Sequence, residues 1–444
     1  MNFKKTVAIA AAAGALAAIS VPAMALENEF HGMYKFMGYE SNFINGLNNT
    51  TGAGPTGLST NPRSGFVAEQ RARIQYTAKA NNDLKLVTHF ELDSRFGGKT
   101  SYLGTTNSDP GSLDADTLSL ETKNIFLDFN AAGTNFKVGI QPWTDAYQGV
   151  FLAADMSGVV ATKKIGAATL QGGWFRIDDN SVTPTVVADL VSDLFILNGK
   201  FAINKDMTVG ASFYNNINKT GTTPAGGAGG KKLYVVGADA DITAGPVNVK
   251  PFVLVQSGDK SATLDYKGYA LGAVSKIKLG SNAINLSALV LSGDTNTTEE
   301  KSFVTIATQQ SYFNASNMWL LVRSSQAVNS STSVLSNDMT VAGRGLYGLF
   351  VGFEGTAGKV FYNANLGYAQ TAEKQGVEKK QLGTEINAQV GYKLFDSMSV
   401  SAAAAYVVLG NGLGGSIAAD NIAAFGVQNA ENPYLANVQL SYAF

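Results

Sequence analysis

Apolar and polar side chains alternate toward the end of the chain. One parity carries Tyr434, Ala436, Val438, Leu440, Tyr442 and Phe444. The other parity includes Asn437, Gln439 and Ser441. Because successive side chains of a β-strand point to opposite faces, this period of two predicts a strand with one apolar and one polar face.

The same alternation recurs along the chain with charged residues on the polar parity. Arg71, Arg73 and Lys79 share one parity of the segment 71–79. The segments 84–95, 136–141, 247–256 and 384–393 follow the same pattern. A Lys or Arg that faces lipid at mid-membrane costs roughly 2–4 kcal/mol, so in a membrane barrel the charged parity has to face a wet interior. A soluble β-sandwich buries an apolar parity equally well, and alternation alone leaves both folds open.

Short and long connections alternate between the predicted strands. Short turns are indicated at 81–83, 131–133, 165–167, 204–206, 244–246, 280–282, 356–358 and 396–397. Long polar stretches cover 40–64, 97–117, 142–156, 178–188, 216–231, 257–264, 293–344, 371–380 and 410–432. Outer-membrane barrels have this asymmetry, with short periplasmic turns and long extracellular loops.

We therefore predict an all-β fold, a transmembrane antiparallel up-and-down β-barrel. Counting the segments gives about 18 strands, an even number as bacterial single-chain barrels require. The parity of the segments 120–129 and 159–164 is ambiguous. If those two segments are not strands, about 16 strands remain.

The first 25 residues have the three parts of a secretory signal peptide. Lys4 and Lys5 precede an uncharged apolar run over 6–21, and Ala23-Met24-Ala25 forms a small-x-small cleavage site. The sequence thus predicts a cleaved signal peptide over 1–25 and one barrel domain over 26–444. An exported protein with this architecture is expected in the outer membrane of a Gram-negative cell, surrounded by lipid and lipopolysaccharide.

Composition narrows the function classes further. The chain has no cysteine, which excludes Fe–S clusters, thiolate zinc and covalent c-type haem within it. The net charge of −1 does not suit a nucleic-acid-binding protein, which needs a basic excess. No G-x-S-x-G motif is present, so we expect no enzyme activity. His31 and His89 lie outside any metal-binding motif and are expected to be polar lining residues rather than metal ligands, and no cofactor is expected.

The chain resembles the porin family of Gram-negative outer membranes, and more narrowly porins of metal-reducing and sulfate-reducing anaerobes. The segments 90–97 (FELDSRFG), 138–143 (VGIQPW) and 440–444 (LSYAF) carry the resemblance. It implies a homotrimer with one loop folded into each pore as a constriction. It also implies recognition of the C-terminal Phe444 by the barrel-assembly machinery.

We expect the constriction to lie in the third long connection, 142–156, which contains Asp145 and Asp155 beside three aromatic residues. Opposite it we expect pore-lining wall residues of both signs, namely Arg71, Arg73, Lys79, Lys85, His89, Glu91, Asp93, Lys123 and Lys137. Acidic loop residues facing basic wall residues would set a transverse field that filters solutes by charge. The alternative is an outward loop that only covers the mouth. The mixed wall charge predicts weak ion selectivity.

Two functions remain open for such a barrel. The first is a water-filled channel for passive diffusion of small hydrophilic solutes and ions. The second is a sheath around a multihaem cytochrome partner, as part of an electron-transfer conduit. The loop 293–344 contains an apolar stretch at 318–322, which is expected to plug the mouth, to contact a neighbouring subunit, or to form an inserted helix.

Overall fold

The structure is a computed structural model. It describes residues 26–43, 58–62, 64–98, 111, 120–179, 182–183, 186–187, 190–220, 231–295, 299–322, 338–414, 422 and 426–444. The predicted signal peptide lies outside these residues.

Eighteen long strands form one sheet, and a short hairpin (β8 and β9) forms a second sheet in a connection. The strands are β1 Glu27–Ser41, β2 Gly65–Asn81, β3 Leu84–Arg95, β4 Glu121–Ala131, β5 Thr134–Thr144, β6 Ala153–Ile165, β7 Ala168–Asp179, β8 Val182–Thr183, β9 Val186–Val187, β10 Val191–Asn204, β11 Met207–Asn218, β12 Lys231–Ala244, β13 Val247–Ser257, β14 Tyr269–Leu279, β15 Asn282–Leu291, β16 Leu346–Ala357, β17 Val360–Gln370, β18 Gln381–Phe395, β19 Met398–Leu409 and β20 Tyr434–Ala443. Single helical turns lie at Thr308–Gln310, Asn314–Ser316 and Asn411–Gly414. No helix in the described part of the chain is long and apolar enough to cross a membrane.

The long sheet closes on itself because β1 pairs antiparallel with β2 on one side and with β20 on the other. Two backbone hydrogen bonds between Gly32 and Phe444 extend this seam beyond the last strand. A Cβ on Gly32 would lie 2.4 Å from the ring of Phe444, so the ring needs a glycine beneath it. The predicted closed antiparallel barrel of 18 strands is therefore confirmed.

The two segments with ambiguous parity are strands β4 and β6. Between β3 and β4 the register shifts, so that Asn124 is opposite His89 and Thr122 is opposite Phe90. Lys123 is the extra residue of this β-bulge. A bulge inserts one residue into the alternation, which is why the parity of the segment looked inconsistent.

Large apolar side chains cover the outer face of the barrel. Phe30, Phe66, Leu349, Ile386 and Val438 are each more than half exposed. The charged parity of β2 and β3 points to the interior, as predicted. The buried hydrophobic cluster also lies inside the barrel, where chain segments from the long-loop end pack against the inner wall.

Candidate functional site

The inner wall of β2 and β3 carries a ladder of ion pairs. Arg71 lies directly opposite Asp93, and Arg73 lies directly opposite Glu91. The guanidinium of Arg71 donates to both carboxylate oxygens of Asp93, with the Nε–Oδ1 distance at 2.7 Å. Arg73 donates to Glu91, and Arg71 also lies 3.3 Å from that carboxylate. Opposite charges on neighbouring strands fix each other's position on the wall without giving it a net charge.

A second polar network joins β3, β4 and β6. Asp155 accepts hydrogen bonds from the ammonium of Lys123 at 2.6 Å and from the amide of Asn124 at 2.8 Å. The side-chain oxygen of Asn124 lies 3.3 Å from Nδ1 of His89. The bulge makes this arrangement possible, because it places Lys123 and Asn124 side by side at the end of the network.

Other predicted lining residues lie closer to the short turns. Lys79 pairs with Glu27 at 2.9 Å, and Lys85 lies 3.4 Å from Asp128. The ammonium of Lys137 lies 5.6 Å from the centre of the Phe126 ring. The structure thus brings the predicted wall residues of β2, β3 and β5 onto one inner face, with Lys123 beside them at the bulge of β4.

The third long connection is shorter than predicted, because β5 continues to Thr144 and β6 begins at Ala153. Asp145 accepts four backbone N–H groups of this connection, those of Tyr147, Gly149, Phe151 and Leu152, at 2.7–2.9 Å. Its side chain is buried. The sequence predicts that Asp145 presents its carboxylate to the basic wall; in the structure this carboxylate instead holds together the fold of its own loop.

This loop, 145–152, folds inward onto the wall opposite the ion-pair ladder. Tyr147 and Phe151 pack against Tyr214 of β11 at ring-centre distances of 6.3 and 5.4 Å. Tyr147 also packs against Phe252 of β13 at 5.9 Å. A Cβ on Gly237 would lie 2.2 Å from the hydroxyl of Tyr147. The wall is therefore shaped to accept the loop, and the expected alternative, an outward cover, does not describe it.

The long connection between β15 and β16 also sends a segment into the barrel. Glu385 of β18 is fully buried and accepts the backbone N–H groups of Trp319 at 2.7 Å, Leu320 at 3.0 Å and Leu321 at 2.6 Å. Asn387, also on β18, donates to the carbonyl of Asn317 at 3.0 Å. Of the arrangements expected for the apolar stretch 318–322, the structure shows packing inside the barrel, without a helix in that stretch.

The two infolded segments contact each other. The backbone N–H of Tyr312 donates to the carbonyl of Gly149 at 3.0 Å, and the hydroxyl of Ser311 donates to that of Val150 at 2.7 Å. The rings of Phe151 and Phe303 are 6.4 Å apart. Together, the loop 145–152 and the segment 303–322 form one apolar body, which we call the inner plug.

The inner plug covers only part of the wall. Beneath it, Val235, Leu254 and Leu289 have no exposed surface. On the other side of the barrel the side chains of Arg73 and Lys85 remain 28% and 43% exposed. Solvent therefore reaches the charged wall inside the barrel, while the apolar wall is sealed.

The alternating pattern of 384–393 predicts a strand but does not predict that Glu385 anchors a distant segment. The available signal was one carboxylate on an inner parity otherwise made of Asn, Gln and Gly in 385–391. Nothing in the sequence connects it to residues 319–321, which are more than 60 positions away. Among the described residues, no three His, Asp or Glu side chains form a group that could hold a metal ion.

Neither a protein-family model nor a curated protein matches this chain. Solved structures do match over 94% of its length. The outer membrane protein OpdK of Pseudomonas aeruginosa is 9% identical, with a TM-score of 0.54 and 98% of its own chain covered. The chain has an outer-membrane barrel fold. OccAB4 of Acinetobacter baumannii (11% identity, TM-score 0.55, 98% covered) and OccK2 (OpdF) of P. aeruginosa in complex with glucuronate (11% identity, TM-score 0.54, 96% covered) are similar to the same extent.

Proposed function

We propose that the chain is an outer-membrane porin, a water-filled channel for passive diffusion of small hydrophilic solutes and ions. One observation carries the proposal: a closed barrel with an apolar outer face has a solvent-exposed, charged inner wall beside the inner plug. A barrel of this strand number is wide enough to enclose an aqueous channel. The inner plug narrows that channel and leaves the path along β2 to β6.

The ion-pair ladder sets the chemistry of this path. Arg71 and Arg73 present donors, Glu91 and Asp93 present acceptors, and all four are held by mutual pairing. A solute with hydroxyl groups can exchange water for these fixed partners as it passes, and a purely apolar solute cannot. The path therefore favours small polar molecules.

Liposome swelling tests the proposal directly. Purified, refolded protein in liposomes should admit small sugars and exclude large oligosaccharides. Liposomes with the heat-unfolded protein serve as the control. If small sugars enter no faster than in the control, the barrel is closed and the proposed function is wrong.

The second candidate is the sheath around a cytochrome, suggested by the sequence resemblance to porins of metal-reducing anaerobes. The inner plug disfavours it, because the interior that a protein partner would occupy already holds packed segments of the chain itself. Co-purification of a haem protein with the native barrel would support this second candidate function.

We further propose that the chain reaches the outer membrane by a cleaved signal peptide, is assembled through its C-terminal strand, and forms a homotrimer. The docking of Phe444 on Gly32 supports a role of the last residue in closing the barrel. Fractionation, heat-dependent electrophoretic migration and cross-linking test these three points.

A further inference from the structure

Lysines line the inner wall at the short-turn end of the barrel. Nine of them lie on strands within four residues of a short turn and share the inward parity: Lys79, Lys85, Lys137, Lys164, Lys200, Lys250, Lys276, Lys278 and Lys393. We call this group the lysine collar. It spans β2, β3, β5, β6, β10, β13, β14 and β18, and so surrounds most of the mouth.

Contacts and register place these side chains inside the barrel. Lys250 pairs with Asp241 at 3.0 Å, and Lys276 pairs with Glu354 on a strand two positions further along the sheet. Lys278 has the parity of Lys276 on β14. Thr162, two residues before Lys164 on β6, accepts a hydrogen bond from Gln171, which in turn accepts one from Asn198 on the parity of Lys200.

The collar carries a positive excess, unlike the ladder above it. Six inward carboxylates lie at the same level: Glu27, Glu29, Asp128, Asp239, Asp241 and Glu354. Nine lysines against six carboxylates leave three positive charges. The turns themselves add Asp83, Asp206 and Asp396 against Lys205 and Lys359, so the inward strand residues and the turns together still have an excess of two.

Five collar lysines form no salt bridge with any carboxylate in the part of the chain that the structure describes: Lys137, Lys164, Lys200, Lys278 and Lys393. The other four are paired. Unpaired ammonium groups around a confined aqueous mouth attract mobile anions and repel mobile cations. A potential of only about one kT concentrates monovalent anions about threefold.

We propose that the lysine collar makes this channel prefer small anions, such as chloride and small carboxylates, at its short-turn mouth. The inference rests on the proposed channel function and replaces the weak selectivity expected from the sequence. The ion-pair ladder at mid-wall has no net charge, so the lysine collar determines whether the channel prefers anions or cations. Because mobile ions screen fixed charges over about 10 Å at 0.1 M salt and about 3 Å at 1 M, the preference should fade as salt rises.

Reversal potentials in a KCl gradient across a planar bilayer test the proposal. At a potential of about one kT, chloride is concentrated about threefold and potassium is depleted about threefold, so the wild-type channel should pass chloride roughly sevenfold more readily than potassium at low salt. The triple variant Lys137→Gln, Lys200→Gln and Lys278→Gln removes three positive charges, which leaves the collar neutral and the collar plus turns with one negative charge, and should bring the ratio to one or slightly below it. Its unitary conductance at high salt should stay near the wild-type value, because no anchor of the inner plug is changed.

Lys163 and Lys164 provide a matched control. They are neighbours on β6, and Lys163 has the outward parity. Lys164→Gln should lower the chloride preference, and Lys163→Gln should leave it unchanged. If the wild-type channel conducts but prefers potassium, or if the triple variant has the same selectivity as the wild type, the proposed role of the lysine collar is wrong. Neither result contradicts the proposed channel function. Absence of any conductance instead overturns the proposed function.

Discussion

Removing the Glu385 carboxylate should release the inner plug from the wall. The perturbation is Glu385→Ala, which leaves the N–H groups of Trp319, Leu320 and Leu321 without their acceptor. Each buried donor left unpaired costs about 1–3 kcal/mol. Water can enter the vacated space and satisfy some donors, so we expect the low end, about 3–5 kcal/mol in total. At about 1.4 kcal/mol per tenfold, the released state becomes roughly a hundredfold to several thousandfold more populated.

Single-channel recording detects this release. We expect Glu385→Ala to show a larger or strongly fluctuating conductance, since the segment 317–322 then moves within the lumen. Glu385→Gln retains one acceptor oxygen and should lie between the wild type and the alanine variant. Glu354→Gln is the control, because Glu354 also faces inward but bonds to Lys276 near the short turns. If Glu385→Ala conducts like the wild type, without added noise, the carboxylate does not hold the plug.

Other predictions address the remaining contacts. Asp145→Ala removes the acceptor of four backbone N–H groups and should raise the channel's susceptibility to proteases in that loop, as mass spectrometry of limited digests would show. Gly237→Val places side-chain atoms where the Tyr147 hydroxyl lies and should raise conductance; an unchanged value would contradict the packing. Gly32→Val removes the seat of the C-terminal ring and should lower the temperature at which the folded electrophoretic band disappears. Two flanking lysines lower the pKa of Glu299 to about 2, so its ion pairs are complete above pH 4.5 and are lost as the pH falls toward about 2; NMR titration should show that midpoint, and a midpoint near 4.5 would refute it.

The fold was predictable from the sequence because the polarity of each residue in a barrel wall indicates whether it faces lipid or the interior. Every second position must be apolar to face lipid, and Arg71 and Arg73 face the interior because placing either side chain in lipid has a high free-energy cost. The alternation of short and long connections then gives strand order and number. A bulge at Lys123 blurred this pattern in one strand without hiding the strand.

The inner plug was only partly predictable, because it depends on contacts between segments distant in sequence. The position of the loop after β5 was inferred, but the role of Asp145 was not. A carboxylate in a polar loop looks the same in sequence whether it faces water or accepts backbone N–H groups. Glu385 is a similar case, since its partners belong to a connection with no periodic pattern. The conformation of a loop depends on such individual hydrogen bonds, whereas a strand can be predicted from a repeating pattern of apolar and polar side chains.

Recording from the purified protein in a planar bilayer tests directly whether the barrel is a water-filled channel. We predict stepwise, ohmic conductance from a permanently water-filled path beside the inner plug, and a larger conductance when Glu385 is replaced by alanine. Protein that inserts as a folded, heat-modifiable barrel and yet carries no current, in both the wild type and that variant, would contradict this prediction.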